Sequence, residues 1–181
     1  MSDAEQEAQP YTLEALAADL RTCFAAGDTA DARRAACGHV ARALKDAAFI
    51  DTHLPTRAAN AAPREVLYED PTLGFCICGH VHDGPAHGDP HDHGPSWAIY
   101  GQARGVTEMT DWAITTPAHG DEPALVTPLR TYVMEPGDAH LYDVGAVHSP
   151  KRDAPVKLIR VEGRNLDHVA RSPIAAAPDA V

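Results

Sequence analysis

At 181 residues the chain is long enough for one domain with its own core, since domains cluster around roughly 100–150 residues. Its formal net charge of −11 argues against nucleic acid or an anionic membrane as partner, because either needs a basic surface, and favours a small molecule. No apolar run of about 18 residues occurs, and the opening MSDAEQEAQP is acidic where a signal peptide would be basic and then hydrophobic, so a cytoplasmic location is expected.

In chain order, TLEALAADLRTCFAAG predicts a helix, with Thr12 as N-cap, Leu13, Leu16, Ala17, Leu20 and Phe24 on its apolar side, and Gly27 as its stop. DTADARRAACGHVARALKDAAFI reads as a second, alanine-rich helix broken near Gly38, with Val40, Ala41, Leu44 and Phe49 as its apolar side and an end near Pro55. Beyond it, short runs rich in Val, Ile, Tyr and Thr alternate with Gly, Pro and Asp clusters. They predict strands at Glu65–Tyr68, Gly74–Val81, Trp97–Ala103, Thr107–Ile114, Leu125–Met134, His140–Asp143 and Val156–Val161. The expectation is a mainly β fold, with an N-terminal α-helical cap over residues 1–60, a β-barrel over 61–170 and a frayed or surface-packed tail over 171–181.

The four cysteines, Cys23, Cys37, Cys76 and Cys78, form no closely spaced CxxC pair and read as free thiols. Cys76 and Cys78 share one strand face, and packing is the better account of them than zinc or redox chemistry.

The chemistry gathers around the histidines. His91 and His93, at i and i+2 of an extended segment, project to the same face and can reach one point. A third arrives in MEPGDAHLYDVGAVHSP, where Pro136-Gly137-Asp138 is a turn and Gly145-x-x-His148 delivers His148. His87 and His140 are rivals that lie near these motifs but off position. His39, His53, His119 and His168 read as surface or satisfied core residues.

From Tyr68 to Glu162 these residues resemble the cupin superfamily, whose first motif runs His-x-His, then a glutamate and a glycine, and whose second ends in Gly-x-x-His. The motif glycine falls at Gly105, while Gly84 lies one residue further from His91 than usual. Where many cupins carry the ligand glutamate, five residues after His93, this chain has Ala98. The remaining three-histidine set is the pattern of the cysteine dioxygenase-like branch, the thiol dioxygenases, and YEDPTLGF followed by HDHGPSWAIYG is similar to that branch in layout. The resemblance implies a double-stranded β-helix of jelly-roll type in which His91, His93 and His148 ligate one Fe(II), with zinc, nickel or manganese as alternatives.

Three neutral imidazoles leave the two charges of such an ion uncompensated, so the site favours an anionic, preferably bidentate ligand in its open positions. The expected partners are therefore a small anionic substrate and O2, with a thiol oxidised to a sulfinate as the reaction. The alternatives are dioxygenative cleavage of a diketone or hydroxyaryl ketone, a redox-silent lyase or isomerase, and a non-catalytic ligand-binding cupin. Exposed barrel edges make a homodimer a further expectation.

Strand parity places Ala98, Tyr100 and Gln102 on the inner face and Trp97, Ile99 and Ala103 outside. Tyr100 is the candidate catalytic residue, able to donate a hydrogen bond to bound oxygen or substrate, against a bland alternative as a core tyrosine. In thiol dioxygenases an arginine upstream of His-x-His grips the substrate carboxylate, and Arg64 sits at nearly the matching distance; the rival is a surface arginine beside Glu65, Glu69 and Asp70. Arg160 and Gln102 are further substrate-binding candidates, with Arg130 weaker. The family's Ser-x-His-x-Tyr relay is absent: the matching positions hold Leu158, Arg160 and Glu162, which, if they face inward, supply an ion pair or a carboxylate anchor.

Overall fold

The computed structural model describes residues 10–58 and 61–178; the acidic N-terminal segment and the last residues of the tail fall largely outside them. Among the described residues three α-helices come before ten strands. Helix α1 (Leu13–Phe24) starts where the Thr12 side chain accepts from the Ala15 N–H, as a capping hydroxyl should. Helix α2 (Ala30–Ala43) is capped in the same way by Thr29 and runs unbroken through Gly38, contrary to the expected break there. The interruption falls at Leu44–Asp46 instead, because the Asp46 carboxylate takes the N–H groups of Ala48 and Phe49 and starts a new helix, α3 (Ala47–His53). Among the described residues no helix is long and apolar enough to cross a membrane.

The strands are β1 (Arg64–Glu69), β2 (Cys76–His82), β3 (Ala86–His87), β4 (Ala98–Arg104), β5 (Thr107–Thr116), β6 (Ala124–Met134), β7 (Ala139–Tyr142), β8 (His148–Arg152), β9 (Val156–Glu162) and β10 (Ile174–Ala176). They form two five-stranded sheets, in the orders β1-β2-β9-β4-β7 and β10-β6-β5-β8-β3. Sequence-distant neighbours such as β2 with β9 and β5 with β8 give the crossings of a jelly roll. The tail is not frayed at Ile174–Ala176: its β10 pairs parallel with β6 and gives that edge a partner.

Each face of the first sheet has a separate task. Its outer face carries Ile77, Ile99, Ile159 and Val161 against Leu16, Leu20, Val40, Phe49 and Ile50 of the helices, and this is the main hydrophobic core. Gly101 lets the helices come close, since a Cβ there would stand 2.6 Å from Val40 Cγ1 and 2.9 Å from Leu44 Cδ1. The inner face packs Ala98, Tyr100 and Tyr142 against Met109 and Met134 of the second sheet. Directly paired residues share a face, so the register aligns Cys78, Arg160, Tyr100 and His140 in one inward row and Cys76, Glu162, Ala98 and Tyr142 in the next. That alternation places Trp97, Ile99 and Ala103 in the outer core, as parity requires. Cys76 and Cys78 are buried on the inner side, where burial above all pushes both thiols up to about 12.

Candidate metal centre

Three imidazoles converge between the sheets: the ligand-capable atoms of His91, His93 and His148 lie within 4.8 Å of one another. The backbone enforces the meeting. His91 and His148 exchange both N–H···O=C bonds at 3.0 Å, forming an isolated antiparallel bridge that sets the two side chains alongside each other. The chain then turns at Gly94, whose φ of 58° is left-handed and where a Cβ would meet the Ala170 carbonyl at 2.6 Å. Between the two histidines Asp92 is buried, and its carboxylate accepts from the N–H groups of Gly94 and Ser172 and from the Ser172 hydroxyl. The tail thereby ties down the turn that presents His91 and His93.

Hydrogen bonding selects the tautomers. His91 Nδ1 donates to the Asp89 carbonyl at 2.8 Å and His148 Nδ1 to the Ala146 carbonyl at 3.2 Å, so in each ring Nε2 keeps its lone pair. His93 is 1% exposed, its Nε2 lies 3.2 Å from the Tyr100 hydroxyl, and its Nδ1 is buried with no partner. Burial drives all three towards the neutral form, His91 to about 4, His93 to about 2 and His148 well below its ordinary value. Neutral imidazoles with unspent lone pairs and one orphaned nitrogen suit a divalent transition metal, and these three residues could hold one.

Tyr100, on β4, reaches into the same space. Its hydroxyl is 3.2 Å from His93 Nε2, 3.4 Å from His148 Nε2 and 3.3 Å from Arg160 Nη1. The expected glutamate position, Ala98, lies on the inner face and contributes only a methyl group.

No protein-family model and no curated protein matches the chain. Solved structures do resemble it at low identity. A Klebsiella pneumoniae protein with a double-stranded β-helix domain is 15% identical, over 69% of this chain and 88% of that one, with a TM-score of 0.46. KdgF from Halomonas sp. is 17% identical over 59% and 82%, with a TM-score of 0.43. The cupin domain of Schizosaccharomyces pombe Cnp3 is 13% identical with a TM-score of 0.43; the match covers 56% of this chain and 64% of that domain. The two-sheet arrangement rests on this chain's own strand order and register.

The remaining predicted residues divide. Arg160 and Glu162 face inward and form a buried ion pair, with Arg160 Nε donating to Glu162 Oε1 at 2.7 Å. Arg64 does not point a free fork at the triad, and it is not the surface arginine of the rival reading either. Its Nη2 donates to Glu162 Oε2 at 2.8 Å and to Asn165 Oδ1 at 3.0 Å, and its Nη1 bonds Asp167, which leaves it committed within the protein. Gln102 is fully buried but satisfied at the β4–β5 turn, where it donates to the Arg104 and Gly105 carbonyls and accepts from the Thr107 hydroxyl. Both Gln102 amide N–H groups and four of the five Arg64 N–H groups are thus engaged within the protein. Arg130 pairs with Asp111 on the exposed side of its strand.

His87 is exposed beside Asp153, and His140 packs between the rings of Tyr132 and Tyr142 outside the cluster. The residues not singled out in the sequence are Asp92, Tyr142 and Arg152. Arg152 carried one legible signal: it stands four positions after His148, so in a strand the two share a face.

Proposed function

We propose that the chain is a metal-dependent oxygenase of cupin type, in which a divalent iron held by His91, His93 and His148 supports O2-dependent oxidation of a small anionic substrate. The single observation that carries this reading is the convergence of three neutral imidazoles, two of them fully buried and within reach of the Tyr100 hydroxyl, with no carboxylate among the donors. When bound, iron would supply adjacent open positions for substrate and O2. The protein's own groups do the rest. The Asp89 and Ala146 carbonyls hold two rings in the tautomer that offers Nε2. Arg160 donates to the Tyr100 oxygen, so the hydroxyl proton is directed elsewhere; once the imidazole lone pairs are committed to an ion, that proton is free for an anionic substrate atom.

The sequence resemblance supports a thiol as substrate. A thiolate and O2 give a sulfinate: the O–O bond breaks, two S–O bonds form, and the four electrons that sulfur loses are the four that O2 gains, with no external reductant. O2 consumption by anaerobically iron-loaded protein tests this against cysteine, 3-mercaptopropionate, cysteamine, a β-diketone and a hydroxyaryl ketone. Uptake with a thiol, one O2 per sulfinate, is expected. Uptake with a ketone alone would replace the thiol by carbon–carbon cleavage chemistry. A three-nitrogen donor set also suits zinc, which acidifies bound water without O2. Turnover by zinc-loaded protein under anaerobic conditions would establish that second reading and overturn the oxygenase.

A further inference from the structure

Tyr100 also walls a small cavity, which it shares with His80, Arg152, Leu158 and Arg160. The surroundings hold one positive charge too many. Arg160 donates to Glu162 and Tyr100, and Arg64 to Glu162 and Asp167, so two guanidinium groups have carboxylate partners. Arg152 has none. It is 7% exposed, its guanidinium makes no ion pair and no hydrogen bond among the described residues, and its Nε is buried without a partner. Glu162 cannot serve it, because Arg64, Arg160 and the Leu166 N–H already take both carboxylate oxygens. His80 Nε2 is a second buried nitrogen without a partner on the same cavity.

Charge and size together define what completes the site. A guanidinium stays ionised in a protein, and a buried one without a counter-ion is destabilising. Burial first, then Arg160, His82, Arg64 and Arg152, hold the His80 imidazole well below its ordinary pKa, and each of them disfavours a further positive charge there. The same field attracts an anion. Volume limits which one. The cavity measures about 10 Å³, room for one water-sized particle. A carboxylate, a phosphate or a sulfate is too large, whereas a halide ion displaces about the volume of one water and accepts N–H donors from any direction. Water in this place would satisfy the two nitrogens and leave the charge standing. A monatomic anion satisfies both.

We infer that this cavity is a halide site, in which Arg152 Nε and His80 Nε2 donate to a single chloride ion that serves as the missing counter-ion beside Tyr100 and Arg160. The ion is a structural partner and not a substrate. None of the three triad histidines lines the cavity, so the site stands apart from the proposed metal centre and is independent of that reading.

The test is chloride binding to the full chain, read from the chlorine NMR line width in sulfate buffer at constant ionic strength. The chain is kept metal-free because a bound metal would itself take chloride. Excess broadening that saturates with chloride and is displaced by bromide is expected. The affinity should fall at least tenfold in Arg152→Met and stay unchanged in Arg34→Met, whose side chain is exposed on α2. Should Arg152→Met fail to fold, His80→Leu removes one donor and should bind chloride several-fold more weakly. A wild type without bromide-sensitive broadening is the result that a buried water would give, and it would overturn the halide site. Equal affinity in the wild type and in the Arg152 or His80 variant would put the chloride elsewhere and overturn it as well. Displacement by acetate as effective as that by bromide would overturn the monatomic assignment. None of these outcomes bears on the metal centre, which iron content tests separately.

Discussion

The Tyr142 ring lies almost parallel to the His148 imidazole, with centroids 3.8 Å apart and an interplanar angle of 20°. Its hydroxyl hydrogen-bonds that of Tyr132 at 2.6 Å, and burial pushes its pKa up. The ring, rather than the hydroxyl, therefore positions His148. Tyr142→Phe should keep full metal content and cost about 1 kcal/mol from the lost hydroxyl pair. Tyr142→Ala should cost about 3–5 kcal/mol through the cavity it leaves and weaken metal affinity at least tenfold, as loss of a ligand's support does. Denaturant unfolding and competition with a chelator read the two effects separately, and equal metal affinity in both variants would contradict the positioning role.

The helices meet the first sheet at Gly101, and the contact leaves no room for a methyl group. Gly101→Ala should destabilise the protein by about 1–3 kcal/mol through overpacking against Val40 and Leu44. Gly84→Ala, where an added Cβ meets nothing within 4 Å, should be close to neutral. Urea midpoints compare them, and a neutral Gly101→Ala would mean that the helices are less tightly seated than the distances indicate.

Glu162 is fully buried and holds Arg64 and Arg160 together. Removing its charge leaves two guanidinium groups without their shared counter-ion, so Glu162→Gln should cost about 3–5 kcal/mol. The metal donors are untouched, and iron content should stay at wild-type level where the variant folds. Calorimetric unfolding together with metal analysis checks both parts.

Acid should weaken the metal-free fold through histidines outside the triad. Burial, aided by the positive charge of Arg152, lowers His82 to about 4, and burial with Arg160 close by lowers His80 well below its ordinary value. Near pH 5 the unfolded chain binds these protons and the folded chain does not, so stability rises with pH across that interval. Their contribution is complete above about 6.5, the unfolded value, and is lost progressively as pH falls towards 4. In His82→Asn the dependence of the unfolding free energy on pH between 6.5 and 4.5 should be shallower than in the wild type. An unchanged slope would mean that His82 titrates alike in both states.

The parts of this fold that alternate strongly were legible from residues alone. Ile77, Ile99 and Val161 announce strands because one face of each is packed on helices, and the His-x-His and Gly-x-x-His spacings mark out the three imidazoles that meet between the sheets. Strands β3 and β10 were not legible: the first is two residues long and the second is Ile-Ala-Ala, too small to show a period. β8 hid for another reason. HSPKR alternates inward and outward as a strand should, yet its inward residues are a histidine, a proline and an arginine, so hydrophobic periodicity does not see it. The same blindness hid the inward placing of Arg152 and the partners of Arg64. An arginine's partners depend on register across three strands, and the pairing of Arg64 with Glu162 spans 98 residues of chain. Gln102 shows a related limit, since parity correctly puts it inside while the turn beyond it claims every donor.

Metal content tests the central claim most directly. Wild type, His148→Ala and His140→Ala, each loaded anaerobically with Fe(II) and freed of excess by gel filtration, should retain one, close to zero and one equivalent of iron per chain. Equal iron in the two variants, or none in the wild type, would contradict a metal centre built from His91, His93 and His148.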